Sequence, residues 1–559
     1  MKPLRTLLPL ILLTLLIACT LPTPAAPPPS PEALPSPTAS PIPPTPVDTP
    51  TPEATITLPA TPTPEFIPYT TPDWFKNAIL YEIFVRSFAD SDGNGTGDFN
   101  GIAAQLDYIA SLGTDVIWLM PIHPSPSDHG YDVTDFLAVN PDYGTLADFQ
   151  HFVDEAHARD IRILIDFVSS HLSNQNPIFK DAFNHPESEY DEWFHFTNDA
   201  NTSYQAFADL SSLPRFNHFN PEVVDYLEDA ALFWMDLDGD GDYTDGVDGF
   251  RVDNATFPPK EFFVDLRQTI KRANPEALLL GEVWVERVSD LTLYYPDQFD
   301  ALFNFPFYTL LASSSKVDSS GQVIWELPPS LLTRRLNEQD AKYPPESILV
   351  QFASNHDTDR LGSVFNGDVA WQRLMAAVTV ILPESIALYY GEEIGMLGVK
   401  GGAPYWDNYR REPMDWYAAE AGPLHATWFT VPDRWNSPND AISVEEQEGD
   451  PGSLLNTYRH LLTLRQTIPA LHNGDFVTLI AAAIGRKAWV VQRTAGDQIL
   501  VGIYNFGNEE SAITVDAFPF TSAALIDLIS GDAYPGSVAG TPYVITLPPA
   551  GVVWFVIGG

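Results

Sequence analysis

From residue 79 onward the chain carries short runs of consecutive apolar residues, separated by longer stretches with helical spacing. Eight such runs, at 79–83, 116–122, 161–168, 249–255, 278–284, 301–305, 348–354 and 386–390, read as β-strands. A strand with one wet face alternates apolar and polar positions. These runs are close to continuously apolar, which predicts burial on both faces and a parallel sheet covered by helices. Eight strands alternating with helices predict an α/β fold of the (β/α)8 TIM-barrel type. The interval 171–221 is too long and polar for a simple connection and predicts a small domain inserted after the third strand. Past a helical stretch at 454–467, short β-rich segments at 488–492, 499–504, 511–515 and 552–557 predict a C-terminal antiparallel β-sandwich. The barrel is placed at 73–470 and the sandwich at 471–559.

The first 72 residues belong to neither domain. Residues 20–72 are almost entirely Pro, Thr, Ser and Ala, which cannot bury a core and predict an extended spacer. Before them, Lys2 and Arg5 precede an apolar run at 7–17, too short to span a bilayer and typical of a secretory signal. The single cysteine, Cys19, excludes an intramolecular disulfide. Leu16-Ile17-Ala18-Cys19 resembles the lipobox of bacterial lipoproteins, in which the thiol is acylated before the signal, here 1–19, is removed. That resemblance implies an extracytoplasmic protein that meets the membrane only through an N-terminal lipid anchor. An ordinary signal peptide with an incidental cysteine is the alternative.

Net charge is −45, and little of it lies in the spacer, so the folded part is strongly acidic. Such a field repels polyphosphates and argues against nucleic-acid partners, while suiting neutral substrates and divalent cations. Aromatic residues make up 12% of the chain; their faces suit sugar rings, although most serve ordinary packing.

In a barrel of this type the C-terminal strand ends converge on one mouth. The third run ends in DFVSSH (166–171), the fourth in GFRVDNATF (249–257), the fifth in GEVW (281–284) and the seventh in FASNHD (352–357). Three carboxylates, two histidines and an arginine are therefore expected in one mouth. A single acidic residue at a strand end is more often a cap for the next helix; four strand ends in agreement are not explained that way.

These four segments resemble the principal motifs of the α-amylase superfamily, glycoside hydrolase family 13. GTDVIWLMPIHPSPSDHGYDVTDF (113–136), LPRFN (213–217) and YYGEEIGM (389–396) extend the similarity, which runs from about Trp74 to the C-terminus. It implies a retaining glycosidase acting on α-linked glucans such as starch or malto-oligosaccharides. Asp253 is then the nucleophile, Glu282 the acid/base, and Asp357 the group that grips the reacting sugar. Arg251 would orient the nucleophile, Tyr131 would stack beneath the ring, and His171 and His356 would hydrogen-bond its hydroxyls. Asp128 stands where exo-acting relatives often hold a terminal glucose with aspartate. No organic cofactor is implied.

Two loops point to calcium. Asp90, Asp92, Asn94, Thr96 and Asp98 alternate through a glycine-rich stretch with the spacing of an EF-hand-like loop, Thr96 offering its carbonyl. Asp236, Asp238, Asp240 and Asp242 form a second acidic run, whose mutual repulsion a cation would relieve.

Several positions depart from the family pattern. Ser170 replaces a frequent calcium-binding asparagine, and Thr256-Phe257 replaces a Lys-His pair that contacts the leaving-group sugar. Asn254 replaces a small or β-branched residue, and LPRFN is nearer the neopullulanase and maltogenic amylase version. Hydrolysis of α-1,4 bonds is the reading adopted; α-glucosidase- or neopullulanase-type action, or transglycosylation, within the same family is the alternative, and a non-catalytic glucan-binding surface protein the remote one. Oligomeric state is not legible.

Overall fold

The computed structural model describes residues 66–483 and 486–558; the signal, Cys19 and most of the spacer lie outside the described residues. The eight apolar runs form the barrel: β1 (Ile79–Ile83), β2 (Val116–Leu119), β3 (Arg162–Phe167), β4 (Gly249–Val252), β5 (Leu278–Gly281), β6 (Ala301–Phe303), β7 (Ile348–Phe352) and β8 (Ile386–Tyr389). All pairs are parallel and consecutive, and β8 closes on β1 with Ile79 opposite Ile386. β1, β2, β4–β8 are buried at every position, as continuous apolar runs require.

Side chains alternate across each strand, and the two sets build separate cores. Leu80, Trp118, Leu164, Leu280, Phe303 and Val350 pack together inside the barrel. Ile79, Tyr81, Ile117, Ile163, Leu279 and Leu302 join the larger core beneath the helices. The helix Leu146–His157 shows why the sequence starts a helix there. Thr145 and Asp148 form a reciprocal capping box, and Phe149, Phe152, Val153 and Ala156 make its buried stripe. Losing the Thr145 cap would cost about 1 kcal/mol.

The interval after β3 holds a short helix (Pro177–Ala182), two single 3₁₀ turns and isolated bridges such as Phe194 to Phe216. The helix Leu454–Thr467 follows the barrel. A four-stranded sheet of Asp475–Thr478, Ala488–Ala495, Gln498–Asn505 and Val552–Ile557 comes next. It faces a three-stranded sheet containing Ser511–Val515 and Tyr543–Leu547. Alternation again divides the labour. Val490, Val501, Ile503, Val553 and Phe555 fill the space between the sheets. Trp489, Tyr504 and Trp554 belong to the barrel's core, and Tyr504 Oη donates to the Ala377 carbonyl at 3.1 Å. A small hairpin, Ser315–Val317 with Val323–Trp325, between β6 and β7 is not apparent in the residue pattern.

Candidate active site

The inner face changes character toward the C-terminal strand ends. Leu80 gives way to Glu82, Leu164 to Asp166, and Leu280 to Glu282, each two residues further along the same face; Arg251 is followed in the same way by Asp253. An apolar barrel floor thus carries a rim of charge, all of it buried: Glu82 is 1% exposed, Asp166 0%, Arg251 1%, Asp253 8% and Glu282 6%.

Arg251 stands at the centre. Its Nη1 donates to both oxygens of Asp166, at 2.8 and 2.9 Å, and to Oδ1 of Asp253 at 3.1 Å. Its Nη2 meets Glu282 Oε1 at 2.9 Å, and its guanidinium lies 5.0 Å from the centre of the Trp118 ring. Asp253 and Glu282, 29 residues apart in sequence, are therefore held by the two terminal nitrogens of one guanidinium. Glu282 Oε2 also accepts the Asn254 N–H at 2.9 Å.

Asp357 closes the cluster from β7. One oxygen lies 3.2 Å from His356 Nε2, the other 2.9 Å from Arg411 Nη2. His356 Nδ1 is bonded to Glu82 at 2.5 Å, and its Nε2 lies 2.7 Å from Tyr131 Oη, which donates in turn to Asp166 at 3.0 Å. The Tyr131 ring is nearly parallel to that of His356, at 16°. Both nitrogens of His171 are also occupied, by Ser170 Oγ at 2.7 Å and the Tyr131 carbonyl at 3.1 Å. In this arrangement every ring nitrogen of the two histidines has a partner within the protein. Each ring orients Tyr131. Asp128 accepts from Asn408 at 2.5 Å and has no arginine partner among the described residues.

Burial pushes the Asp253 carboxyl up to about 7, with Arg251 pulling it down and Asp166 and Asp357 adding to the rise. Burial likewise raises Glu282, against Arg251 and with Asp253 and Asp357. Asp166 is lifted by burial to about 6 despite Arg251 and His356. Asp357 moves the other way. Burial alone would raise it, but His356 and Arg411 outweigh that and hold it well below the usual carboxylate range. His356, which burial would lower, is raised to about 10 by Asp357 and Glu82 and is an imidazolium at neutral pH. Burial takes His171 down to about 3, leaving it neutral. The site therefore contains one carboxylate held charged, Asp357, and a buried pair, Asp253 and Glu282, whose ionisation is disfavoured by burial and by their mutual repulsion.

Glu82, Asp166, Asn408 and Arg411 escape a reading of the strand-end motifs. Asp166 stands inside DFVSSH and could have been found from inner-face parity. Glu82 has the same signal, two residues past Leu80. Arg411 and Asn408 reach the site from a loop beyond β8, and no spacing in the sequence announces that.

Both acidic loops bring their carboxylates together. Oxygens of Asp90, Asp92 and Asp98 lie within 4.8 Å of one another. Asn94 points its oxygen at the Thr96 N–H, 2.7 Å away. In the second loop the converging set is Asp236, Asp238, Asp240 and Asp245. Asp242 is not in it, because its carboxylate accepts instead from the Thr244 hydroxyl at 2.7 Å. Asp245 has a buried Oδ1 without a hydrogen-bond partner, and burial together with Asp238, Asp236 and Asp240 raises its pKa. None of these carboxylates forms an ion pair among the described residues. Oxygen-only donor sets of this kind fit a hard cation such as calcium.

A closed parallel barrel whose mouth gathers carboxylates around an arginine defines the class: a barrel enzyme with an acid-rich mouth, suited to acid/base and nucleophilic work on an uncharged substrate. Residues 82–474 match the family described as alpha amylase, catalytic domain. The chain is 34% identical over 418 residues to alpha-amylase 3 of Dictyoglomus thermophilum, covering 72% of this chain and 79% of that protein. It is 30% identical over 498 residues to neopullulanase 2 of Thermoactinomyces vulgaris, covering 84% and 76%. Among solved structures, an alpha-amylase from H. orenii superposes with a TM-score of 0.74 at 30% identity, covering 86% of this chain and all of that one. The chain belongs to the α-amylase family of glycoside hydrolases.

Proposed function

We propose that the protein hydrolyses α-1,4-glucosidic bonds of starch-type glucans or malto-oligosaccharides with retention of anomeric configuration. The observation that carries this reading is the grip of one guanidinium on both Asp253 and Glu282. A retaining enzyme needs two carboxyl groups close together, about 5–5.5 Å apart, one as nucleophile and one as acid and then base.

The motif positions divide the roles: Glu282 delivers a proton to the departing glycosidic oxygen. Asp253 attacks the anomeric carbon from the opposite face, and Arg251 keeps it oriented and favours its charge. Water then displaces the glycosyl group as Glu282 takes back a proton. Asp357 remains ionised through the whole cycle, beside His356 and Arg411, and supplies negative charge to a transition state that becomes positive at the sugar ring. Oligosaccharides other than water could accept the glycosyl group, and the printed names of the relatives span several α-glucan activities. Maltotriose products separate the outcomes. Glucose and maltose are expected, with the newly formed reducing end, on the fragment that passed through the enzyme-bound intermediate, appearing first as the α-anomer by proton NMR; a new end formed first as β would refute retention, and maltotetraose or longer products would mean transfer.

Calcium bound by Asp90, Asp92 and Asp98, and by Asp236, Asp238, Asp240 and Asp245, would be structural, neutralising clustered charge away from the reacting bond. The lipobox-like segment at Leu16–Cys19 and the spacer after it support attachment to a membrane through a lipid, with the barrel held clear of it. Among the described residues no helix is long and apolar enough to cross a membrane.

A further inference from the structure

Glu82 is hydrogen-bonded to none of Asp253, Glu282 and Asp357, yet it stands at the mouth end of β1. Its carboxylate lies two residues past Leu80 on the inner face and is almost wholly buried. A carboxylate so far from water is costly unless it is paired and hydrogen-bonded. Among the described residues its one ion-pair partner is His356, whose Nδ1 lies 2.5 Å away.

The hydrogen bonds around His356 fix its protons. Arg251 donates to both oxygens of Asp166, and with Asp166 ionised Tyr131 Oη spends its own proton there, at 3.0 Å. The Tyr131 oxygen then accepts from His356 Nε2, 2.7 Å away. Asp357 Oδ2, 3.2 Å from the same nitrogen, calls for that proton as well. Nδ1 faces the Glu82 carboxylate, which when ionised only accepts. A neutral ring would set a lone pair against Glu82 if its proton sat on Nε2, and against Asp357 and Tyr131 if it sat on Nδ1. The imidazolium alone satisfies all three.

We propose that Glu82 is a positioning residue: it holds His356 doubly protonated, and through that charge keeps Asp357 ionised and Tyr131 in place. The proposal rests on the glycosidase reading, in which Asp357 and Tyr131 face the reacting sugar. Glu82, His356 and Asp357 alternate in sign, so removing the first charge loosens the proton on the second. Burial alone would strip that proton, and Asp357 and Glu82 together outweigh burial. The other charged or titratable groups facing His356 are Tyr131 from the loop after β2, Asp166 from β3 and Asp253 from β4. Arg411, whose Nε donates to the His356 carbonyl at 3.1 Å, completes them. None of these replaces the contact at Nδ1.

The test is the pH dependence of kcat/KM on α-glucosyl fluoride. Fluoride leaves without a proton, so ionisation of Glu282 does not limit this step at high pH, and the state of His356 does. Wild type should keep its rate to about pH 9, below the His356 value of about 10. Glu82→Gln keeps the shape but not the charge, and should move the alkaline fall down by about 1–3 pH units, the usual effect of one close opposite charge. Glu82→Asp should bring the fall back toward wild type, whatever its kcat. Side-chain 15N NMR of histidine-labelled wild type, with the resonance assigned from His356→Gln, should show both nitrogens of His356 protonated at pH 8. A folded Glu82→Gln with an unmoved alkaline limb, or a Glu82→Asp limb displaced as far as that of Glu82→Gln, would overturn the proposal. So would a wild-type His356 protonated on one nitrogen only, a result that needs no variant of Glu82 to fold. Wild-type protein that fails to turn over the fluoride would instead overturn the glycosidase reading.

Discussion

Arg251→Met tests the electrostatic arrangement most severely. The substitution keeps a flexible side chain of similar reach over Trp118 but removes the only cation touching Asp166, Asp253 and Glu282 among the described residues. Breaking a buried pair from one side costs about 3–5 kcal/mol, because a charge is left without compensation. Here three carboxylates are stranded, so protonation relieves them, and the cost must depend on pH. Burial already raises all three above their ordinary values, and without Arg251 their folded pKa values rise further. Groups whose folded pKa lies above the unfolded one cost nothing below the unfolded value, near pH 4, and destabilise increasingly as pH rises. The wild-type-minus-variant difference in melting temperature should therefore be small at pH 4, where only lost packing over Trp118 counts, and widen to its full value by about pH 8. Scanning calorimetry at fixed rate from pH 4 to 8 measures it. Activity at neutral pH should fall by about 10²–10⁴-fold, since a protonated Asp253 is no nucleophile. A gap that stays constant with pH, or turnover within a few-fold of wild type, would refute the reasoning.

Glu282→Gln should depress maltotriose hydrolysis by several orders of magnitude yet spare much of the first step on α-glucosyl fluoride, because fluoride leaves without a proton; equal loss on both would exclude Glu282 as the acid. Asp300, fully buried at the far end of the barrel, is paired with Arg267 at 2.8 Å and Lys271 at 3.2 Å and accepts the Leu279 N–H at 2.8 Å. Asp300→Ala should cost about 3–5 kcal/mol of stability, read in urea unfolding, while leaving kcat of the folded fraction unchanged. Chelation should lower the melting temperature by several degrees if the two acidic loops hold calcium, and Asp245→Asn should reduce that shift; a melting curve indifferent to chelator and to added calcium would count against both sites.

The barrel was legible because burial on both faces leaves an unbroken apolar signature, and all eight strands start within one residue of the expected positions. Their ends were not. The apolar texture continues to 122, 168, 255 and 284, but the ladders stop at Leu119, Phe167, Val252 and Gly281. Beyond those points the backbone turns to serve the site: the Asn254 N–H goes to the Glu282 carboxylate instead of to a neighbouring strand. Apolar composition registers burial, not where hydrogen bonding leaves the ladder. The meeting of Asp253, Glu282 and Asp357 around one mouth was legible from strand-end motifs, whereas the partners of the histidines were not, since they include groups as distant in sequence as Glu82, 274 residues from His356. The second acidic loop shows the same limit. Alternate spacing singled out Asp242, but the loop folds back so that Asp245 joins the cluster.

The central claim is that Asp253 becomes covalently bonded to the sugar while Glu282 attends the leaving group. Incubation with 5-fluoro-α-glucosyl fluoride, which slows release of the intermediate, followed by peptic digestion and tandem mass spectrometry, addresses it directly. The account requires one added fluoroglucosyl group per chain, located on Asp253 and lost on reactivation with maltose. A label on another carboxylate, or turnover of the fluoride with inversion and no label, would contradict it.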